Sequence, residues 1–316
     1  MALGSATRSL GGVVPMLPRH RRRILVVVRL DGGNDGFNTL IPFTDPLYQR
    51  LRPTLAVPVR QVLPIAPHLG LHPACAGLHT LFQSGQLRII PNVGHPLLNR
   101  SHFQALEKWE SAAAHDGHAG TGWLGRYLDW TAANRPTPAR AIHFTPNLPL
   151  ALRGLHSDEL ARPHPGGDDI SASLRETARM IRSGHPADIY YLNVGGFDTH
   201  AHQALVHAHL LGTVSDALLS FRTELNQAHS APPVLTVVWS EFGRSLAENP
   251  CLGTDHGKEG PVMLLGNRIG GLHGSATATE PLMTDFRDIY AGILEDWLEC
   301  PSESVLGPEV GKVSPI

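Results

Sequence analysis

The stretch ILVVVRLDGG, residues 24–33, decides the fold. A short, β-branched and nearly continuous apolar run that stops at Asp31-Gly32-Gly33 is the pattern of a parallel strand buried on both faces. Similar runs recur at Leu87–Val93, Ile189–Val194, Val234–Trp239 and Val262–Leu265. Helical patterns lie between and after them. Residues 101–113 begin with Ser101 in an N-cap position, and residues 203–228 carry leucine and alanine at helical spacing. Residues 284–299 place Phe286, Tyr290, Ile293, Leu294 and Trp297 on one face behind Thr284 as the cap. Strands alternating with helices predict an α/β fold with a mostly parallel central sheet flanked by helices on both faces. The stretch 134–170, loaded with Pro, Gly, Arg and His, reads as an irregular excursion. The expected organisation is a flexible N-terminal segment, 1–22, followed by a single α/β domain, 23–316.

The chain has 316 residues, enough to bury a substantial core. Lys and Arg total 26 against 28 Asp and Glu, a net charge of -2, with no extended basic patch to suggest nucleic acid. A small molecule is the expected partner. Cys75, Cys251 and Cys300 are far apart and outside any CxxC pair, so free thiols are expected. No run reads as apolar and long enough to span a bilayer, so no membrane partner is expected. The N-terminus, MALGSATRSLGGVVPMLPRHRRR, puts its weakly apolar segment ahead of its basic cluster, the reverse of an export signal, which predicts a cytoplasmic protein.

Ligands of open α/β sheets gather outside the carboxyl ends of the strands. After the first strand, GGNDG lacks the GxGxxG spacing, and Asp31 and Asp35 would repel a pyrophosphate, so a dinucleotide loop is disfavoured. An Asp- and Gly-rich turn competes with Asp31 as a metal-binding carboxylate. GGFDTHAHQ, residues 195–203, follows another strand and offers Asp198, His200 and His202, natural mixed ligands for zinc or manganese. Glu241 follows a third strand, and Asp255-His256 sits in a Gly-flanked loop. Carboxylates gathered at one sheet edge repel one another, and a bound divalent cation resolves that repulsion. Magnesium and calcium are the alternatives to zinc and manganese. Ser101, with His102 beside it, would start a helix, where the N-terminus stabilises an anion and a metal could activate the hydroxyl. Arg100, Arg244 or Lys258 could hold nonbridging oxygens of an ester. Ser101, His102 and Arg244 are therefore the catalytic candidates.

On these segments the chain resembles the domain of unknown function 1501 family, placed in the alkaline-phosphatase-like superfamily. LVVVRLDGGNDGFNTLIPF, LRPTLAVP, GLHPA, NRSHF, GTGWLGRYLD, GGFDTHAHQ, WSEFGRSLAEN, GTDHG and TDFRDIYAGILEDWL run in order from residue 25 to 298. The resemblance implies an alkaline-phosphatase-like fold and a metal-dependent hydrolase of phosphate or sulfate esters acting on a small anionic ester, against a non-catalytic binding protein that keeps the fold. It implies Asp31 as the first acid, Ser101 as nucleophile, and Asp198 with His202 as a D-x-x-x-H pair. Asparagine is common at the position of His202 in the family, which favours His200 as the ligand. It leaves Asp255 competing with Glu241, the latter favoured because it follows a strand, with His256 as the final histidine. Family members usually carry an export signal, which implies the periplasm as the alternative compartment.

Overall fold

The computed structural model describes residues 22–315 except 97, 114–119, 168, 229–230, 274–282 and 309. Apart from Arg22, the segment 1–22 expected to be flexible therefore lies outside the described residues. A nine-stranded mixed sheet forms the centre. From one edge its strands are Gly271–Leu272, Leu87–Gly94, Gly260–Leu265, Val234–Trp239, Ile24–Leu30, Ile189–Val194, Ala141–His143 and Ala161–Pro163, with Thr284–Asp285 also paired to Leu87–Gly94. The first strand lies in parallel register between Ile189–Val194 and Val234–Trp239. Only one of the nine, Gly260–Leu265, runs against the others, antiparallel to both neighbours. The expected mostly parallel sheet is thus present, and its reversed strand brings the residues that precede it to the edge where the other strands end. The stretch 134–170 contributes more than an irregular excursion, because Ala141–His143 and Ala161–Pro163 extend the sheet in parallel.

Period-two alternation on the first strand feeds two cores. Leu25 and Val27 join Trp109, Trp123, Tyr127, Ile289 and Tyr290 on one face. Val26, Val28 and Leu30 join Leu78, Leu174, Leu218 and Phe221 on the other. The first face is covered by the helices His102–Ser111, Trp123–Asn134 and Phe286–Gly292, the second by Ala76–Gln83, Ile170–Arg182 and Gln203–Asn226. Helices on both faces match the expectation.

Two expectations are corrected here. The helix Gln203–Asn226 is long and apolar enough to cross a membrane, with a mean hydropathy of 1.3. Its Leu211, Val214, Leu218, Phe221 and Leu225 pack into the core, and 39% of its most apolar window is buried. The last amphipathic helix starts at Phe286, capped by Asp285, whose carboxylate accepts from Arg287 N at 2.9 Å, whereas Thr284 is in a strand. Its turn Ile293–Trp297 is a π-helix. Phe286, Tyr290, Ile293, Leu294 and Trp297 are all buried as that face predicts, and the three cysteines are free.

A buried polar network ties the first loop to the long helix. His207 Nε2 lies 3.0 Å from Asn34 Oδ1, and burial pushes the imidazole down to about 4. An unfolded histidine titrates near 6.5. Between those values the unfolded chain binds more protons, so stability is full above about pH 6.5 and is lost as pH falls toward about 4. Urea denaturation of metal-free protein should show this slope, and His207→Gln should flatten it. An unchanged slope in the variant would refute the assignment.

Candidate metal centre

Three histidines and one carboxylate meet at the edge where the parallel strands end. Asp198 follows the strand Ile189–Val194, and its Oδ1 is 3.5 Å from His102 Nε2, 3.2 Å from His256 Nε2 and 3.0 Å from His200 Nε2. One ligand atom from each of His102, Asp198 and His256 lies within 4.8 Å of the others. His200 adjoins the group, its Nε2 2.9 Å from that of His256.

Each histidine comes from a different element. His102 is the first residue of the helix His102–Ser111. Trp109 of that helix stacks on Trp239 at the end of its strand, with centroids 4.8 Å apart and planes at 5°, and on Phe286 at 4.5 Å. Stacked aromatic surfaces of this kind are worth about 0.5–1.5 kcal/mol beyond burial, and here they fix the helix against the strand leading to Glu241. His256 ends the hairpin Arg244–Glu248 and Thr254–His256, which precedes the reversed strand. His200 lies in the loop after Asp198.

The ring orientations are set from behind. His102 Nδ1 is 2.8 Å from Glu241 Oε1, and His256 Nδ1 is 2.7 Å from the carbonyl of Arg100. A carbonyl oxygen only accepts, so Nδ1 of His256 donates to it, and in the neutral form of each ring a donating Nδ1 leaves Nε2 as the free ligand atom. Both Nε2 atoms face Asp198. Buried Glu241 is itself held by Gly32 N at 2.9 Å. Asp255 stands 3.5 Å behind His200 Nδ1.

Arg244 fixes Asp198. Its guanidinium is fully buried, donates to the carbonyls of Gly32, Gly33, Phe197 and Thr254, and pairs with Asp198 Oδ1. Burial alone would raise the Asp198 carboxyl, but Arg244, with His256 and His200, holds it below the usual range. Gly32, at φ +116°, lets the first loop approach this aspartate: a Cβ there would lie 2.3 Å from Asp198 N.

The sequence-predicted residues thus divide. Asp198, His200 and His256 come together, and His102, expected among the catalytic groups, joins them as a candidate ligand. Asp31 does not: Arg29, two residues earlier on the same strand face, forms an ion pair with it, and Asn193 donates to it at 2.7 Å. Glu241 and Asp255 lie behind histidines rather than among the converging atoms. His202 is exposed at the start of the long helix, with φ 47°. Ser101 precedes His102, and its hydroxyl makes no capping bond to the helix. Arg244 is too deeply buried to hold a substrate's oxygens, whereas Arg100 and Lys258 are exposed. Sequence reasoning missed Arg29 and Asn193. Period-two spacing of Arg29 and Asp31 was the available signal for the first.

The donor set suits a divalent cation. Imidazole nitrogens with one carboxylate oxygen are a zinc-type set, and three protein ligands leave a position for substrate.

Several solved structures are similar in chain path. They include the Streptococcus pyogenes phosphoglycerol transferase GacH in complex with sn-glycerol-1-phosphate, at 8% identity over 92% of this chain and 78% of that one, with a TM-score of 0.48. A protein in the alkaline phosphatase superfamily from Vibrio parahaemolyticus has 9% identity, covers 92% and 69%, and gives 0.45. The C-terminal periplasmic domain of Escherichia coli EptC in complex with Zn has 10% identity, covers 77% and 73%, and gives 0.42. No curated protein matches the chain. Residues 175–285, which run from within the helix Ile170–Arg182 through Asp198, Glu241 and His256 to Asp285, match the family model described as protein of unknown function (DUF1501), and so bear out the family resemblance read from the sequence.

Proposed function

We propose that this chain is a metal-dependent hydrolase of phosphate or sulfate esters. The observation that carries the proposal is a convergence held from behind: His102 Nε2, His256 Nε2 and an Asp198 oxygen come together, while Glu241 and the Arg100 carbonyl each engage a histidine Nδ1. Two imidazole nitrogens and a carboxylate oxygen turned on one point are a donor set that a divalent cation satisfies. His102, Asp198 and His256 would hold the ion, with His200 beside them; zinc fits the donors best, and manganese is the alternative. Bound there, a divalent cation supplies Lewis acidity to an ester oxygen.

The chain's own residues do the rest. Arg244 keeps Asp198 ionised and oriented, and Glu241 keeps His102 in one tautomer. Arg100 and Lys258, exposed and within two residues of His102 and His256, would attract an anionic ester. Ser101, unused as a cap and adjacent to His102, is the proposed nucleophile. The family resemblance favours the periplasm as the compartment; the cytoplasmic expectation has no support.

Hydrolysis of p-nitrophenyl phosphate and p-nitrophenyl sulfate with zinc or manganese tests this reading. Ser101→Ala should retain metal and lose at least about a hundredfold in rate, in line with the loss of a nucleophile. No turnover of either ester, or an undiminished variant, would refute it. One observation favours a second reading, a non-catalytic binding protein: Asp31 is committed to Arg29 and Asn193, which leaves a single cluster of candidate ligands among the described residues. Metal uptake without turnover would support that reading.

A further inference from the structure

Among the described residues, the large apolar side chains that stand exposed are Val59, Phe103, Leu155, Leu205, Val206 and Leu252. Four of these six belong to segments that carry the metal centre. Phe103, 87% exposed, follows His102 directly. Leu205 and Val206, 84% and 49% exposed, lie in the first turn of the helix that follows His200 and His202. Leu252, 42% exposed, is in the hairpin loop before His256, and its carbonyl accepts from Gln203 N at 2.9 Å. The neighbouring Gly253 packs against the backbone of His200, where a Cβ would lie 2.3 Å from the carbonyl carbon. Leu252, Leu205 and Val206 therefore border the His200 side, and Phe103 borders the His102 side.

Single exposed apolar residues are ordinary, but their concentration in the segments that carry a polar site points to an interaction there. These residues lie in the segments that supply His102, His200 and His256, and Arg100 and Lys258, within two residues of His102 and His256, are exposed. We infer that the substrate is an amphiphile, with an anionic ester head at the metal centre and a hydrocarbon part against Phe103, Leu205, Val206 and Leu252. Charge complementarity selects this occupant, since an uncharged apolar ligand would leave the cation and the two basic side chains unanswered. The inference rests on the metal-centre reading above.

Isothermal titration of the zinc-supplemented protein with ethyl phosphate and with monomeric n-octyl phosphate tests it. Each methylene buried tightens binding by about fourfold, so burial of about two gives at least a tenfold preference for the octyl ester. The triple substitution Phe103→Ser, Leu205→Ser and Leu252→Ser should erase that preference in a protein that still takes up zinc. If zinc and ethyl phosphate bind but the octyl ester binds no tighter, the amphiphile inference falls and the metal reading stands. If neither zinc nor either ester binds, both fall. A preference that survives the triple substitution overturns the placement of the chain. Sedimentation with neutral phosphatidylcholine vesicles, without an octyl preference, would assign the rim to a bilayer surface and also overturn it.

Discussion

Replacing His256 by alanine should abolish zinc uptake, lowering affinity by at least about a thousandfold. Structural zinc sites are worth roughly 10–16 kcal/mol with all ligands in place, so loss of one of three protein donors removes a large share. His256 sits at a hairpin end with its side chain 19% exposed, and its truncation leaves the core intact. Glu241→Gln is the milder probe. It keeps the size of the group behind His102 but weakens the hold on Nδ1, and such partners typically contribute 10–100-fold in metal affinity. Competition with a chelating dye measures both. Because protons compete with the ion for each Nε2, affinity in the wild type should fall as pH is lowered. Equal affinity in wild type and His256→Ala would remove the centre from the account.

Asp35→Asn should cost about 3–5 kcal/mol of stability, the range found when one partner of a buried ion pair is removed. Asp35 and Arg52 are both fully buried, with Arg52 Nη1 2.6 Å from Asp35 Oδ2. Burial would raise the carboxyl, but the Arg52 charge overrules it and keeps it ionised. The pair is a junction. Asp35 caps the short helix Gly36–Thr39 and accepts from Gln203, while Arg52 also donates to the carbonyls of Ser245 and Leu246 at 2.7 Å. The asparagine variant keeps the shape and leaves the guanidinium unpaired among the first loop, the long helix and the hairpin that carries His256. Urea midpoints should fall sharply, and zinc affinity should fall with them. A loss under about 1 kcal/mol would show that the junction is not needed.

Much of the architecture was legible because hydrophobic period reports burial directly. The first strand and Ile189–Val194 appear with the bounds their apolar runs suggest, and the long helix differs by two residues at its end. The reversal of Gly260–Leu265 was not legible, since a buried apolar run looks the same in either direction. That reversal is what delivers His256 to the edge where Asp198 ends its strand. The site was read in part for the same kind of reason. Strand-end position singled out Asp198, and of the two histidines after it His200 lies 3.0 Å from the aspartate while His202 is exposed at the helix start. Strand-end position also selected Asp31, which an arginine on its own face neutralises, and Glu241, which reaches a histidine first. His102 was grouped with the catalytic serine because sequence shows which residue starts a helix and not where its ring points. The second-sphere contacts, Glu241 to His102 and the Arg100 carbonyl to His256, span 139 and 156 residues and leave no local pattern.

Zinc-edge X-ray absorption on the metal-loaded protein tests the central claim most directly. The geometry of His102, Asp198 and His256 predicts a first shell of nitrogen and oxygen at about 2.0–2.2 Å, with imidazole scattering that diminishes in His256→Ala. A shell containing sulfur near 2.3 Å, or a spectrum identical in the variant, would contradict it.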